Sequence, residues 1–244
     1  YRGLKLYDLS KNEQVTVSEE NGAGYKPVFT ADGNEVYYRK TSYKDGFRYD
    51  ALLKTDLKKM KQDEVIVSSR SLKAPIAAKS GIVVASEGKL LRTAKEVQPY
   101  TTIEDNKIVL YQGNNRIELQ PCGSNVIGYV WPSVSPDGTK ILFHCAGKGT
   151  FVSDLKGNIL YSLGAVNAPV WYTNDFVVGM LDKSNDGIYT ESKVLISSVD
   201  GRFQQTLSGK DEIAMYPTVA SQTSNVAYST LNGEIFILTL NIKK

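Results

Sequence analysis

The sequence predicts an all-β protein assembled from repeated antiparallel meanders. Three observations carry that expectation. Prolines recur at the heads of similar segments, short apolar runs are separated by Asp-Gly and Asn turns, and no window places apolar residues at helical spacing. The prolines stand at 27, 75, 99, 121, 132, 136, 169 and 217. Six of them open the segments "KPVFTADGNEVYYRK", "APIAAKSGIVVAS", "QPYTTIEDNKIVLYQ", "WPSVSPDGTKILFHC", "APVWYTNDFVVGM" and "YPTVASQTSNVAYST". Each reads as proline, a short strand, a polar turn and a second strand rich in Val, Ile, Tyr and Phe. Proline is tolerated at the first residue of a strand because its missing N–H need not join the ladder there.

Two further strands follow in most units. "YDALLKTDL" and "DEVIVSS" supply them in the first unit. "GTFVSDLKGNILYSL" does so in the fourth, turned at Lys156-Gly157-Asn158, and "SKVLISSVDGRFQQTLS" in the fifth, turned at Asp200-Gly201. Such Gly-containing pairs between apolar runs mark hairpins. The unit is thus a four-stranded antiparallel meander. Six units in 244 residues average about 41 residues each, the blade size of a β-propeller. A lone meander cannot bury both of its faces, whereas a ring of them can. The expectation is one domain, residues 1–244, folded as a six-bladed β-propeller of four-stranded blades.

The last unit ends after a third strand, "GEIFILTLNIKK", and the chain begins with two strands, "LKLYDLS" and "EQVTVSEE". Placing one or both of these N-terminal strands on the sixth blade closes the ring. The second and third proline steps, of 24 and 33 residues, leave their outer strands least defined. A five-bladed ring with those units merged, or a seventh blade beyond this chain, stays open.

Composition narrows function more than it defines it. With 41% hydrophobic residues the chain can bury a core, and no apolar run approaches the roughly 18 residues of a membrane helix. The 29 basic and 26 acidic residues nearly balance, so no nucleic-acid partner is expected and no direct membrane span. The densest basic stretch, Lys54 to Lys61, is diluted by Asp56 and reads as a solvated turn.

At "YVWPSVSPDGTKILF", Tyr129 to Phe143, the pattern resembles the WD-type repeat of TolB-like propellers, seen also in propeller domains of prolyl oligopeptidase-type enzymes. "YKPVFTADGNEVYY" matches well, with Ala31 in place of the second proline, and the other units match weakly. The resemblance implies a structural role for the Ser-Pro-Asp-Gly turn and no catalysis there. It also implies a bacterial envelope protein, periplasmic or at the cell surface with its leader removed, that binds a partner lipoprotein.

Sites must be argued separately. His144 is the single histidine, on "KILFHC", where Ile141, Phe143 and Cys145 share one face and Leu142 and His144 the other. No GxSxG elbow accompanies it, so it reads as a packed histidine. Cys122 and Cys145 fall in adjacent units and either pair or remain buried thiols. "DKSNDGIYTESK", Asp182 to Lys193, partly mimics a calcium loop through Asp182, Ser184, Asp186 and Gly187, but Lys193 replaces the bidentate Glu, and a polar hairpin is the reading adopted. No metal and no cofactor is expected. Asp45 and Asp186 lie in Asp-Gly loops between second and third strands. Tyr25, Tyr129, Trp131 and Tyr216 lie beside the opening prolines 27, 132 and 217. These six residues, expected together on the funnel face of the ring, form the candidate partner-binding set, since Tyr and Trp anchor protein and glycan partners. Trp171, two residues after Pro169, reads as core. The expected function is a non-enzymatic binding scaffold for a protein partner. The alternative is a carbohydrate-binding or lyase- or glycosidase-like propeller, for which Glu104 and Asp105 are the conspicuous acids.

Overall fold

The computed structural model describes residues 2–30, 32–78, 81–86, 89–92, 99–113, 115–220 and 223–241. The chain divides into two compact units, Tyr1–Gln98 and Pro99–Lys244. All regular structure among the described residues is β, and no helix is long and apolar enough to cross a membrane.

In the first unit β1 (Arg2–Asp8) and β2 (Glu13–Asn21) form a two-stranded hairpin. A four-stranded sheet follows, β3 (Val28–Phe29), β4 (Glu35–Lys44), β5 (Phe47–Asp56) and β6 (Lys61–Ser69). A three-stranded ladder of β7 (Ile76–Ala78), β8 (Gly81–Ser86) and β9 (Lys89–Arg92) completes it. The second unit holds four sheets. They are β10 (Tyr100–Glu104), β11 (Lys107–Gln112) and β12 (Asn115–Leu119); β13 (Tyr129–Val134), β14 (Lys140–Cys145), β15 (Gly149–Asp154) and β16 (Ile159–Gly164); β17 (Asn167–Trp171), β18 (Phe176–Asn185), β19 (Ile188–Ser198) and β20 (Gln204–Thr206); and β21 (Ala214–Val219), β22 (Asn225–Thr230) and β23 (Ile235–Thr239). Every sheet is an antiparallel meander in sequence order. Within each unit the first strands of successive sheets are neighbours: β3 with β7, and β10, β13, β17 and β21 in series.

The expected six uniform four-stranded blades are corrected to five blades of three or four strands, beside the short β7–β9 ladder and the β1–β2 hairpin. Chain length is the physical reason in the 24-residue step, which is too short for four strands of ordinary length and their turns. In the 33-residue step the chain passes from β12 to β13 through residues 120–128 without a fourth strand. β1 and β2 pair with each other, Leu6 opposite Val15 and Asp8 opposite Glu13. The tight turn after Asp8, held by Asp8 Oδ1 on the Ser10 and Lys11 amides, makes local pairing the low-entropy solution.

The core lies between sheets, and strand alternation builds it. On β14, Ile141, Phe143 and Cys145 pack back on Ile108, Leu110 and Leu119, while Leu142 packs forward on Val177 and Leu195. On β18 and β19, Val177 and Leu195 face back, and Val178, Met180, Val194 and Ile196 face forward onto Ala214, Met215, Val226 and Tyr228. Middle strands buried on both faces read as continuous apolar runs, which is why "KILFHC" and "FVVGM" lack polar alternation. The first unit repeats the scheme, with Val36, Tyr38 and Leu53 toward Ala23, and Tyr37 and Leu52 toward Ile82 and Val84.

The Ser-Pro-Asp-Gly turn has the structural role that the resemblance implied. Ser135 Oγ donates to Asp137 Oδ1, the Thr139 amide donates to the same carboxylate at 3.1 Å, and the Lys140 amide donates to Ser135 Oγ at 2.9 Å. Thr30 and Asp32 repeat the device. Hydrogen bonds from Thr30 and Asn34 hold the Asp32 carboxyl at about 2.

Candidate binding surfaces

The opening prolines do more than start strands. Four residues that precede them have left-handed backbones: Lys26 (φ 50°), Trp131 (φ 54°), Ala168 (φ 44°) and Tyr216 (φ 50°). At three of these the ladder slips, between Val130 and Ser133, Asn167 and Val170, and Met215 and Thr218. Each is a β-bulge, which re-aims the side chain at the bulged position. The following proline ring adds to this by excluding the right-handed helical region for the residue before it.

The bulge at Tyr216 turns its ring outward, leaving it 53% exposed, while its amide donates to Met180 Sδ at 3.4 Å. The Tyr216 and Tyr189 hydroxyls meet at 3.0 Å and the two rings pack edge to face. That hydrogen bond, with burial second, pushes the Tyr189 phenol up to about 12. Tyr189 belongs to the long β18–β19 hairpin, whose two-residue turn is Asp186 (φ 49°) and Gly187 (φ 79°). Two left-handed residues match a type I′ turn and the strand twist. Ile188, beside that turn, is 67% exposed, and Leu181 is exposed further down. The bulge at Trp131 sets its ring edge-on against His144 and over the core between β17–β20 and β21–β23.

The structure therefore gathers Tyr216 with Tyr189 on one rim and seats Trp131 half-buried. It does not bring Tyr129 to a surface. Tyr129 is only 3% exposed; its hydroxyl accepts from the Cys122 amide at 3.0 Å and donates to the Gly123 carbonyl at 3.3 Å. It is a core residue, which corrects its place in the candidate set. Its ring meets Phe143, and burial raises its phenol.

His144 Nδ1 sits 2.9 Å from Thr150 Oγ1 and 3.2 Å from the Val166 carbonyl, a packed histidine. Trp171 packs on the core between β13–β16 and β17–β20, its Nε1–H donating to the Ser133 carbonyl. Cys122 and Cys145 are free thiols on one core cluster. Burial, then the Cys145 neighbour, pushes the Cys122 thiol up to about 12. The Asp182–Lys193 segment is a hairpin, with Asp182 accepting from Asn167 Nδ2 and Glu191 paired to Lys183 at 2.9 Å. Glu104 accepts from Tyr111 and pairs with Arg116, while Asp105 (φ 47°) occupies the β10–β11 turn. Among the described residues no group of three or more His, Cys, Asp or Glu is placed to hold a metal ion.

In the first unit Tyr25 lies over the Arg39 guanidinium at 4.6 Å. Both line a cleft of about 670 Å³ together with Arg2, Thr41, Tyr43 and Arg48. Asp45 (φ 51°) and Gly46 (φ 76°) form the two-residue turn between β4 and β5. The arginines were absent from the sequence-derived set, although that turn dictates them. A two-residue loop sets Tyr43 opposite Arg48 and Thr41 opposite Asp50, and alternation places Arg39 on the same face.

No family model and no curated protein matches the sequence. Solved structures do resemble it. The β-propeller domain of the Trilobed protease from Pyrococcus furiosus is 10% identical with a TM-score of 0.59, over 96% of this chain and 86% of that one. Oligogalacturonate lyase in complex with manganese is 14% identical with a TM-score of 0.54, over 97% and 70%. TolB from Acinetobacter baumannii is 16% identical with a TM-score of 0.48, over 85% of this chain, which spans 60% of the TolB chain. At such identities the first two likenesses show the fold, an all-β propeller, and nothing about activity.

Proposed function

We propose that this propeller is a non-enzymatic binding module that seats a protein partner on the second unit. The observation that carries the reading is Tyr216, exposed by its bulge and braced by Tyr189, with the exposed Ile188 of the β18–β19 hairpin nearby in sequence. A rigid aromatic anchor with exposed apolar neighbours is the usual composition of an interface hot spot. The engagement of His144 with Thr150 and Val166, and of Glu104 with Arg116, supports binding over catalysis. An envelope lipoprotein as partner, and a periplasmic or cell-surface location, follow from the TolB-like repeat pattern and are part of the same proposal.

The test is recovery of the partner from an envelope fraction on immobilised protein. Tyr216→Ala and Trp131→Ala are expected to lower recovery at least tenfold, the scale of a hot-spot loss of about 2 kcal/mol. Lys58→Ala, on the β5–β6 turn, is expected to leave recovery unchanged. Full recovery by Tyr216→Ala with an unaltered melting temperature would refute the assignment.

A further inference from the structure

We propose that the cleft of the first unit binds a sugar-sized molecule carrying one oxyanion. Three guanidinium groups, of Arg2, Arg39 and Arg48, line it. One carboxylate faces them. Asp50 sits 3.5 Å from Arg39 Nη1 and 3.1 Å from Arg48 Nη2, and Thr41 Oγ1 donates to it at 2.6 Å. Asp50 neutralises one of the three cations, and Arg2 makes no ion pair among the described residues. The cleft lining thus keeps an uncompensated positive charge.

Arg39 is the buried member of the three. Its side chain is more than nine-tenths buried, and its Nη1 is held by Asp50 at 3.5 Å and by the Leu72 carbonyl at 3.4 Å. The exposed guanidinium groups of Arg2 and Arg48 are the ones that meet a ligand in the cleft. The planar fork of N–H groups suits a carboxylate or a phosphate. The rest of the lining suits an organic body attached to that oxyanion. Tyr25 stacks on Arg39, and Tyr43 stands 72% exposed at the cleft edge. The volume lies within the roughly 300–1,000 Å³ of small-molecule sites. Gly22 (φ 86°) keeps the wall thin, since a Cβ there would meet Thr41 Oγ1 at 2.3 Å.

Calorimetric titration at low salt tests this with glucuronate, glucose 6-phosphate, glucose and inorganic phosphate on the full chain. At least one sugar anion is expected to bind ten times or more tighter than glucose, and the anion that does so identifies the headgroup. The double variant Arg2→Gln/Arg48→Gln is expected to weaken it at least tenfold, and Lys58→Ala to leave it unchanged. These positions are chosen because Arg48 is half exposed and Arg2 exposed, so the fold tolerates the changes. Three results would each overturn the proposal. They are sugar anions binding no tighter than glucose, a double variant binding like the parent, and inorganic phosphate binding as tightly as glucose 6-phosphate, which would remove the need for an organic body. None of these outcomes depends on the protein-partner surface of the second unit.

Discussion

Asp50→Ala is expected to destabilise the first unit by about 3–5 kcal/mol, the cost of leaving a buried guanidinium without its counterion. Asp50 and Arg39 are each 8% exposed at the side chain, and the Arg39 pKa is pulled down by burial and held up by Asp50. Removing the carboxylate leaves burial and the nearby Arg48 charge acting on a group that stays protonated. Thr41 and Arg48 lose their acceptor in the same step. Urea unfolding followed by circular dichroism measures the loss. The double variant Asp50→Ala/Arg39→Met is expected to recover most of it, because an apolar side chain of similar length needs no counterion. A single-variant loss below about 1 kcal/mol would show that Arg39 is far more hydrated than its burial indicates.

Phe143→Ala is the second large effect, also about 3–5 kcal/mol, in the second unit. Phe143 is fully buried on β14 at the centre of the core shared by β10–β12 and β13–β16. Its ring meets Tyr129 edge-on at 5.7 Å and stacks on Phe151 at 6.0 Å. Truncation removes the apolar burial and both ring contacts, and it opens a cavity that a sheet held by two flanking ladders relaxes into only slightly. Phe143→Leu is expected to cost clearly less, because it refills most of the volume. Thermal unfolding of the two variants checks the order. Equal losses would mean that ring geometry outweighs cavity volume here.

Much of the fold was legible because it is local. The meanders, their Asp-Gly turns and the opposite faces of "KILFHC" follow from period-two alternation and turn chemistry, and the structure keeps them. Strand number in the short units was legible only as a length limit. The aromatic set was half legible. Trp131 and Tyr216 directly precede their prolines and are re-aimed by bulges, whereas Tyr129 stands two residues before Trp131, at the start of the strand, and points into the core. Proximity to proline was the visible signal, but the bulge register decides which ring is presented. The arginine cleft was missed because charge was tallied along the chain and not across the β4–β5 register.

The bulge that aims Tyr216 outward is tested most directly by comparing two variants at that residue. Tyr216→Gly and Tyr216→Ala lose the same ring and differ in backbone preference alone. At the left-handed φ of 50°, alanine carries a steric cost of about 1–2 kcal/mol that glycine escapes, partly offset by the greater chain entropy of glycine when unfolded. In urea unfolding the glycine variant is therefore expected to be the more stable, by about 0.5–1 kcal/mol. An ordinary extended strand residue would reverse the sign, with alanine favoured by about 0.5–1 kcal/mol, and that result would contradict the bulge and the surface built on it.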